Sequence, residues 1–477
     1  MPKTKIVATI SDMHADMDFI QALFDEGMNV VRLNTAHQTP EQTLKIVENV
    51  RGVSERIAML LDTKGPELRT TPSPHEIKVE KGDILHVQGN PDKASENGWV
   101  YINCHKFVDL VPLGSEILID DGDISITVSE KKEDTLICTV NNKGIIKPKK
   151  SVNIPRVKLG LPSVTEKDYH YIRFAIEQNL DFIAHSFVRN KEDVLAVQQI
   201  LDEHQSDIKV IAKIENQEGV DHIDEILDHA YGIMVARGDL GIEIPYEKIP
   251  GIQKYLVNKC IERRCPVIIA TQMLHSMINN PRPTRAEVTD IASAIYGQAD
   301  AVMLSGETAF GNYPVESVRT MARVAKEVED SKETFFDAPD YILNNKITAY
   351  LCKSAVKASN RLDAKAVIAD TTSGKTIRSL SAYRGAKPIY AQCYLKKTMR
   401  ELQLSYGVYA DYMHPRDTSH EFLKYAIANL KQYHEFDTSD LLVVIAGNFG
   451  RIAGASYIEI GTLENLAGHL RSDQDYE

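Results

Sequence analysis

Two short runs hold the side chains best suited to chemistry. In IAKIENQEGV, residues 211–220, Lys213 and Glu215 stand two apart, so on a strand they point to the same side. In MVARGDLG, residues 234–241, Asp239 follows Gly238 and is closely followed by Gly241. Glu215 and Asp239 offer two hard oxygens, which suits Mg2+, an ion that keeps several waters and adds phosphate oxygens to one or two carboxylates. The glycines let backbone N–H groups approach a bound anion. An ordinary ion pair at a strand end would use Lys213 and Glu215 as well, and the glycine-rich turn favours the ligand site over it.

Further polar residues recur at the ends of apolar, β-branched runs. Strands fit at 4–10, 29–33, 56–62, 181–184, 208–214, 231–236, 266–270 and 299–304, most followed by a helix-like stretch. Eight such units predict a (β/α)8 barrel, whose reactive residues lie just past the strand ends. There stand Arg32, Asn34 and His37; Asp62, Thr63, Lys64, Glu67 and Arg69; then Ser186 and Arg189. Arg237 and Asp239, Thr271 and Gln272, and Ser305 and Glu307 follow later barrel strands. Cations and carboxylates converging on one mouth describe an anionic-ligand site with a metal. Between the third and fourth strands, runs such as HEIKVEKGDILHV and SEILIDDGDISITV alternate and are broken by Gly, Pro and Asp. They predict a small β-rich, barrel-like insertion placed to act as a lid. After about residue 340 a helix, ITAYLCKSAVKASNRL, and strands AKAVIAD, KPIYAQC, LLVVIAG and SYIEIG predict an open α/β domain. The expected division is 1–66 and 164–340 for the barrel, 67–163 for the lid and 341–477 for the last domain.

The chain has 477 residues, 43% hydrophobic and 26% charged, with a formal net charge of -12. An acidic surface argues against nucleic acid as partner and for small-molecule chemistry in a locally basic pocket. MPKTKIVATI lacks the apolar core of a secretory leader, and no 18-residue apolar stretch predicts a membrane span, so a cytoplasmic protein is expected. The six cysteines form no C-x-x-C pair and read as reduced structural thiols. His14, His170, His185 and His222 lack metal-ligand spacing, Trp99 is expected to pack within the lid, and 131–134 (KKED) reads as a hairpin turn.

The runs KIVATI, GMNVVRLN, LDTKGPELR, AKIENQEG, MVARGDLG, ATQMLHSMINNPRPTRAEVTDIA and DAVMLSGETAFGNYP resemble pyruvate kinase motifs. The resemblance extends from about residue 3 to about residue 460. It implies transfer of the phosphoryl group of phosphoenolpyruvate to ADP, with Mg2+ (or Mn2+) and K+ as cofactors, by a homotetramer. Glu215 and Asp239 would bind the divalent ion, and Gly238, Asp239 and Thr271 the substrate carboxylate. Lys213 would face the phosphoryl group and the enolate oxygen, Arg32 would clamp the transferred phosphate, and Thr271 would orient the relay of a proton. Arg69 and Lys150 would hold nucleotide phosphates, with Asn34 and His37 near the nucleotide. Asn34, Asp62 and Thr63 match the K+ ligands, and Glu67 matches the acidic residue of K+-dependent members. Two departures stand out: Ala36 replaces a serine ligand of K+, and Ser11-Asp12 replaces Gly-Pro near the nucleotide base.

In the last domain, Thr371, Thr372, Ser373, Gly374, Lys375 and Thr376 follow a strand and open a helix. The run falls short of a P-loop because Ala369 replaces its first glycine. Hydroxyls, a glycine and a lysine at a helix start suit a phosphate. The resemblance implies an effector site for a sugar phosphate or nucleotide there, covered by 447–456 with Arg451 as a further contact; a plain capping turn is the alternative. Two other functions stay open at this point, another Mg2+-dependent barrel acting on phosphoenolpyruvate or oxoacids, and a non-catalytic effector-binding relative.

Overall fold

The computed structural model describes residues 2–36, 38–331, 346–416, 418–433, 435–447 and 455–468. The eight expected strands are present: β1 Lys5–Ile10, β2 Val30–Asn34 and β3 Ala58–Asp62 precede the insertion. The insertion holds β4 Ile77–Val79, β5 Ile84–Gly89, β6 Trp99–Ile102, β7 Glu116–Ile119, β8 Ile124–Lys131, β9 Leu136–Val140, β10 Gly144–Ile146 and β11 Val152–Asn153. β12 Phe182–His185, β13 Lys209–Ile214, β14 Gly232–Ala236, β15 Val267–Ala270 and β16 Ala301–Leu304 complete the barrel. Strands β1–β2–β3–β12–β13–β14–β15–β16 close parallel on themselves. Their near-continuous apolar runs follow from burial on both faces, one against the barrel axis and one against helices. Val7, Leu60, Phe182, Ile211, Met234, Ile268 and Met303 fill the axis, while Ile6, Leu61, Ile183, Val235 and Ile269 face the helical layer.

The insertion folds as a six-stranded sheet, β11-β7-β8-β9-β5-β6, with a two-stranded ribbon β10-β4. Residues 132–135 turn the β8–β9 hairpin, as the KKED run predicts. Trp99 is half-buried on β6, stacked on His86 and Tyr101.

The last domain is one open sheet, β19-β18-β17-β20-β21, with β17 Ala366–Thr371, β18 Ile389–Cys393, β19 Val408–Tyr412, β20 Leu441–Ala446 and β21 Tyr457–Thr462. Strand β19 escapes sequence reading because it lies at an edge. Only Val408 and Ala410 of its residues are buried, and Tyr409, Asp411 and Tyr412 break the apolar run. The domain docks on the barrel end opposite the mouth, where Leu404 joins the axial cluster like a plug. Asp300, just ahead of β16, takes a two-pronged bond from Arg384 at 2.8 and 2.7 Å. Asp181, just ahead of β12, takes Arg400 at 2.6 Å and Arg51 at 3.2 Å. Asp300, Asp181, Arg384 and Arg400 are all buried, so geometry rather than mere charge must compensate their desolvation.

Replacing one member of such a pair strands the other in the interior. Arg384→Met should destabilise the protein by about 3 kcal/mol or more, and Arg384→Met with Asp300→Asn by less. Urea unfolding monitored by circular dichroism checks both.

Candidate active site

The mouth is built from strand ends, so its geometry follows from the barrel register. Asn34 pairs with Asp62 across β2 and β3, and Lys213 lies on β13 opposite Met234 of β14. Lys213 is the hub. Its Nζ lies 2.9 Å from Glu215 Oε1 and 3.1 Å from Asp62 Oδ1, and donates to Ser186 Oγ at 2.7 Å. Burial opposes the Lys213 charge, yet the Asp62 and Glu215 carboxylates outweigh it and hold its pKa above the ordinary lysine value. Arg32 donates from Nε to Asp62 Oδ2 at 2.6 Å and from a terminal nitrogen to Thr9 Oγ1 at 3.1 Å. Burial alone would raise the Asp62 pKa, but Arg32 and Lys213 keep it below the usual carboxylate range.

Glu215 is fixed from its other side. The Phe187 N–H donates to Glu215 Oε2 at 2.6 Å, and Phe187 adopts a left-handed φ of 56° to aim it. Asp239 lies at the start of the helix Arg237–Glu243. Burial, and then the neighbouring Glu215 carboxylate, push the Asp239 pKa up to about 7. A buried carboxylate and a half-buried one that repel each other in this way fit a divalent cation, whose charge would relieve the repulsion. Among the described residues no cluster of three or more His, Cys, Asp or Glu suits a metal, so water and substrate oxygens would complete the shell.

Thr271 has φ 69° and Gln272 φ 56°, a left-handed pair just past β15. Arg237 braces it, donating to the Thr271 carbonyl at 2.7 Å while bound to Asp290 at 2.6 Å. The Gly238 N–H in turn donates to Thr271 Oγ1 at 2.9 Å, which brings Gly238, Asp239 and Thr271 together. Thr63 accepts the Ser186 N–H on its hydroxyl at 3.0 Å, and Asn34 Oδ1 accepts the Ala36 N–H at 3.1 Å. A cavity of about 440 Å³ opens beside Glu215 and Asp239, walled by Asp121 and residues 151–154 and 156–159 of the lid and by Arg189 and Glu243 of the barrel.

Arg69 and Lys150 stand at the base of the lid. Arg69 pairs with Glu67 at 2.6 Å and Lys150 with Asp120 at 2.8 Å, and neither lines that cavity. His37 and Arg451 lie outside the described residues. Glu307 uses both oxygens on backbone, accepting Leu274 N–H at 3.0 Å and Ser305 N–H at 2.7 Å, so it is a brace between two loops. His185 is fully buried on β12, and burial pushes its pKa down to about 4, which leaves it neutral. The roles of Ser186, Phe187 and Asp121 escape sequence reading: a hydroxyl, a backbone N–H and a lid turn acquire meaning only through distant partners. The DDGD turn was the one available signal for Asp121.

Fold and site together define a (β/α)8 barrel with an inserted lid and an open α/β domain, its mouth lined by a buried lysine, an arginine and paired carboxylates. Two family models match, pyruvate kinase barrel domain over residues 1–318 and pyruvate kinase alpha/beta domain over 350–460. A pyruvate kinase of Borreliella burgdorferi is 47% identical over 469 residues, covering 97% of this chain and 98% of that one. A pyruvate kinase of Staphylococcus epidermidis is 42% identical, covering 99% of this chain and 81% of that one. A crystal structure of a pyruvate kinase from Cryptosporidium parvum superposes with a TM-score of 0.91 at 34% identity, over 97% of this chain and 96% of that chain. The chain belongs to the pyruvate kinase family.

Because the folded pKa of Asp62 is lowered, its stabilising contribution is present above the unfolded value of about 3.9 and is lost as pH falls through the folded one. Asp62→Asn should therefore be less stable than the parent near neutrality. The gap should narrow as pH falls below about 4, as urea titrations from neutral to acid pH would record.

Proposed function

We propose that this chain is the phosphotransferase of the last step of glycolysis, moving the phosphoryl group of phosphoenolpyruvate to ADP and releasing ATP and pyruvate. The observation that carries the reading is Lys213, a buried ammonium held by Asp62, Glu215 and Ser186 beside the Glu215–Asp239 pair. Phosphoryl transfer depends on positioning and charge neutralisation more than on a covalent nucleophile. Glu215 and Asp239 would hold Mg2+ or Mn2+, which supplies charge neutralisation and orientation of substrate oxygens. The substrate carboxylate lies against Gly238, Asp239 and Thr271. Arg32 clamps the phosphoryl group as the P–O bond to the enol oxygen breaks and a bond to the β-phosphate oxygen of ADP forms. Lys213 stabilises the enolate left behind. A proton then adds to the methylene carbon, with Thr271 orienting the relay. That completes pyruvate.

In this reading Arg69 and Lys150 bring nucleotide phosphates under the lid, with Asn34 and His37 near the nucleotide. Asn34, Asp62 and Thr63 supply oxygens to K+, a site short of one hydroxyl at Ala36. The lid spans 67–163 between barrel segments 1–66 and 164–340, with the effector domain at 341–477. In that domain the Gly374 N–H donates to Thr371 Oγ1 at 2.9 Å, and the Thr372 hydroxyl has no hydrogen-bond partner among the described residues. With Ser373, Lys375 and Thr376 they make up the segment offered to a sugar-phosphate or nucleotide effector. The proposed assembly is a cytoplasmic homotetramer; no described helix is long and apolar enough to cross a membrane.

A lactate-dehydrogenase-coupled assay should show ADP-dependent pyruvate release that requires Mg2+ and rises with K+. Lys213→Met should lower kcat by about a hundredfold or more, the loss expected for one charge-stabilising contact. Turnover within tenfold of the parent would refute the role. Lys375→Glu should abolish activation by whichever sugar phosphate or nucleotide activates the parent.

A further inference from the structure

Both crossings of the chain between barrel and lid meet at one buried carboxylate. Asp168 is the third residue of the helix Glu166–Glu177 and is fully buried. Its Oδ2 accepts the Thr165 N–H at 3.1 Å and the Thr165 hydroxyl at 2.7 Å. Its Oδ1 accepts the Lys64 N–H at 2.9 Å and the Gly65 N–H at 3.3 Å. A capping box calls only for bonds within the helix start. The bonds to Lys64 and Gly65 are of another kind, since they cross from that helix to the loop after β3. Lys64 and Gly65 are where the chain leaves for the lid, and Thr165 is where it has just returned.

The same point touches the chemistry. Gly65 has φ +71°, and a Cβ there would come within 2.8 Å of the Phe187 ring and 2.9 Å of the Ser186 Cβ. Ser186 accepts from Lys213, and Phe187 donates to Glu215. The outgoing arm of the lid therefore packs on the two residues that orient the ammonium and the carboxylate.

We propose that Asp168 is a positioning residue, the pin of the lid hinge, which holds both lid arms against the barrel so that closure carries the lid cations to the nucleoside diphosphate. The proposal rests on the reading of Arg69 and Lys150 as nucleotide contacts. A charge-assisted bond to one anion at two crossings fixes where the arms bend, and hinge motion is confined to the residues beyond it. Loosening the pin lets the lid sample orientations in which Arg69 and Lys150 miss the nucleotide, and the apparent affinity falls by the competent fraction.

The test uses the full chain carrying Asp168→Asn, Asp168→Ala or Thr165→Val. Asp168→Ala should raise KM for ADP by about tenfold while KM for phosphoenolpyruvate moves less than about threefold, since only the competent fraction of lid orientations is reduced. Asp168→Asn, which keeps one acceptor oxygen, and Thr165→Val, which removes one arm's hydroxyl, should give smaller shifts in the same order. Hydrogen exchange without any substrate should show faster exchange at Lys64, Gly65 and Thr165, with the helix Lys191–Glu203 unchanged. Unaltered exchange at those three amides in Asp168→Asn would overturn the pin. So would a parallel rise of both KM values with faster exchange throughout the barrel. If the unmodified chain transferred no phosphoryl group to ADP, the substrate-free exchange would still decide the hinge separately from the reaction.

Discussion

A buried ammonium cannot stand alone in a protein interior. Lys213 sits near the bottom of the barrel mouth, and its charge survives there only because Asp62 and Glu215 lie within about 3 Å on either side. Those two carboxylates are in turn occupied by Arg32 and by the Phe187 N–H. The chain of partners runs through β2, β3, β12 and β13, four neighbouring strands of one closed sheet. Closure makes the arrangement rigid, since no strand can shift register without breaking its neighbours' ladders. The mouth thus inherits its precision from the apolar packing beneath it.

Charge at the mouth is unevenly matched by design of the fold. Asp62 is neutralised by two cations, whereas burial and then the Glu215 carboxylate push the Asp239 pKa up to about 7. One carboxylate is therefore structural in its electrostatics and the other is left wanting a cation. The left-handed conformations at Phe187, Thr271 and Gln272 cluster at the same rim. Strain of that kind persists only where surrounding bonds over-determine it. Here Arg237, Gly238 and Glu215 supply those bonds.

At the opposite end, buried Arg384 and Arg400 reach Asp300 and Asp181 at the starts of β16 and β12. β12 begins at the contact with the last domain and ends at His185, next to Ser186 and hence next to Lys213. Domain docking and the geometry of the candidate site thus share a strand. An apolar plug, Leu404, gives this docking its burial, while the paired charges give it a single orientation.

The barrel, the lid insertion and most of the last domain were legible in the residues themselves. Period-two and continuous apolar runs encode burial locally, and Gly, Pro and Asp mark the turns between them. Lys213, Glu215 and Asp239 stood out as candidates, because a strand's alternation places the first two on one side and a glycine turn marks the third. Edge strand β19 was not, since half-burial erased its pattern. Neither was the partnership of Lys213 with Asp62 and Ser186, nor that of Asp168 with Lys64 and Gly65. Those contacts join residues 151, 27, 104 and 103 positions apart. Sequence by itself determined which groups were available and which local structure carried them. Only closure of the barrel decided which groups would meet, because a hydrogen bond depends on distance in space and local patterning carries no record of it.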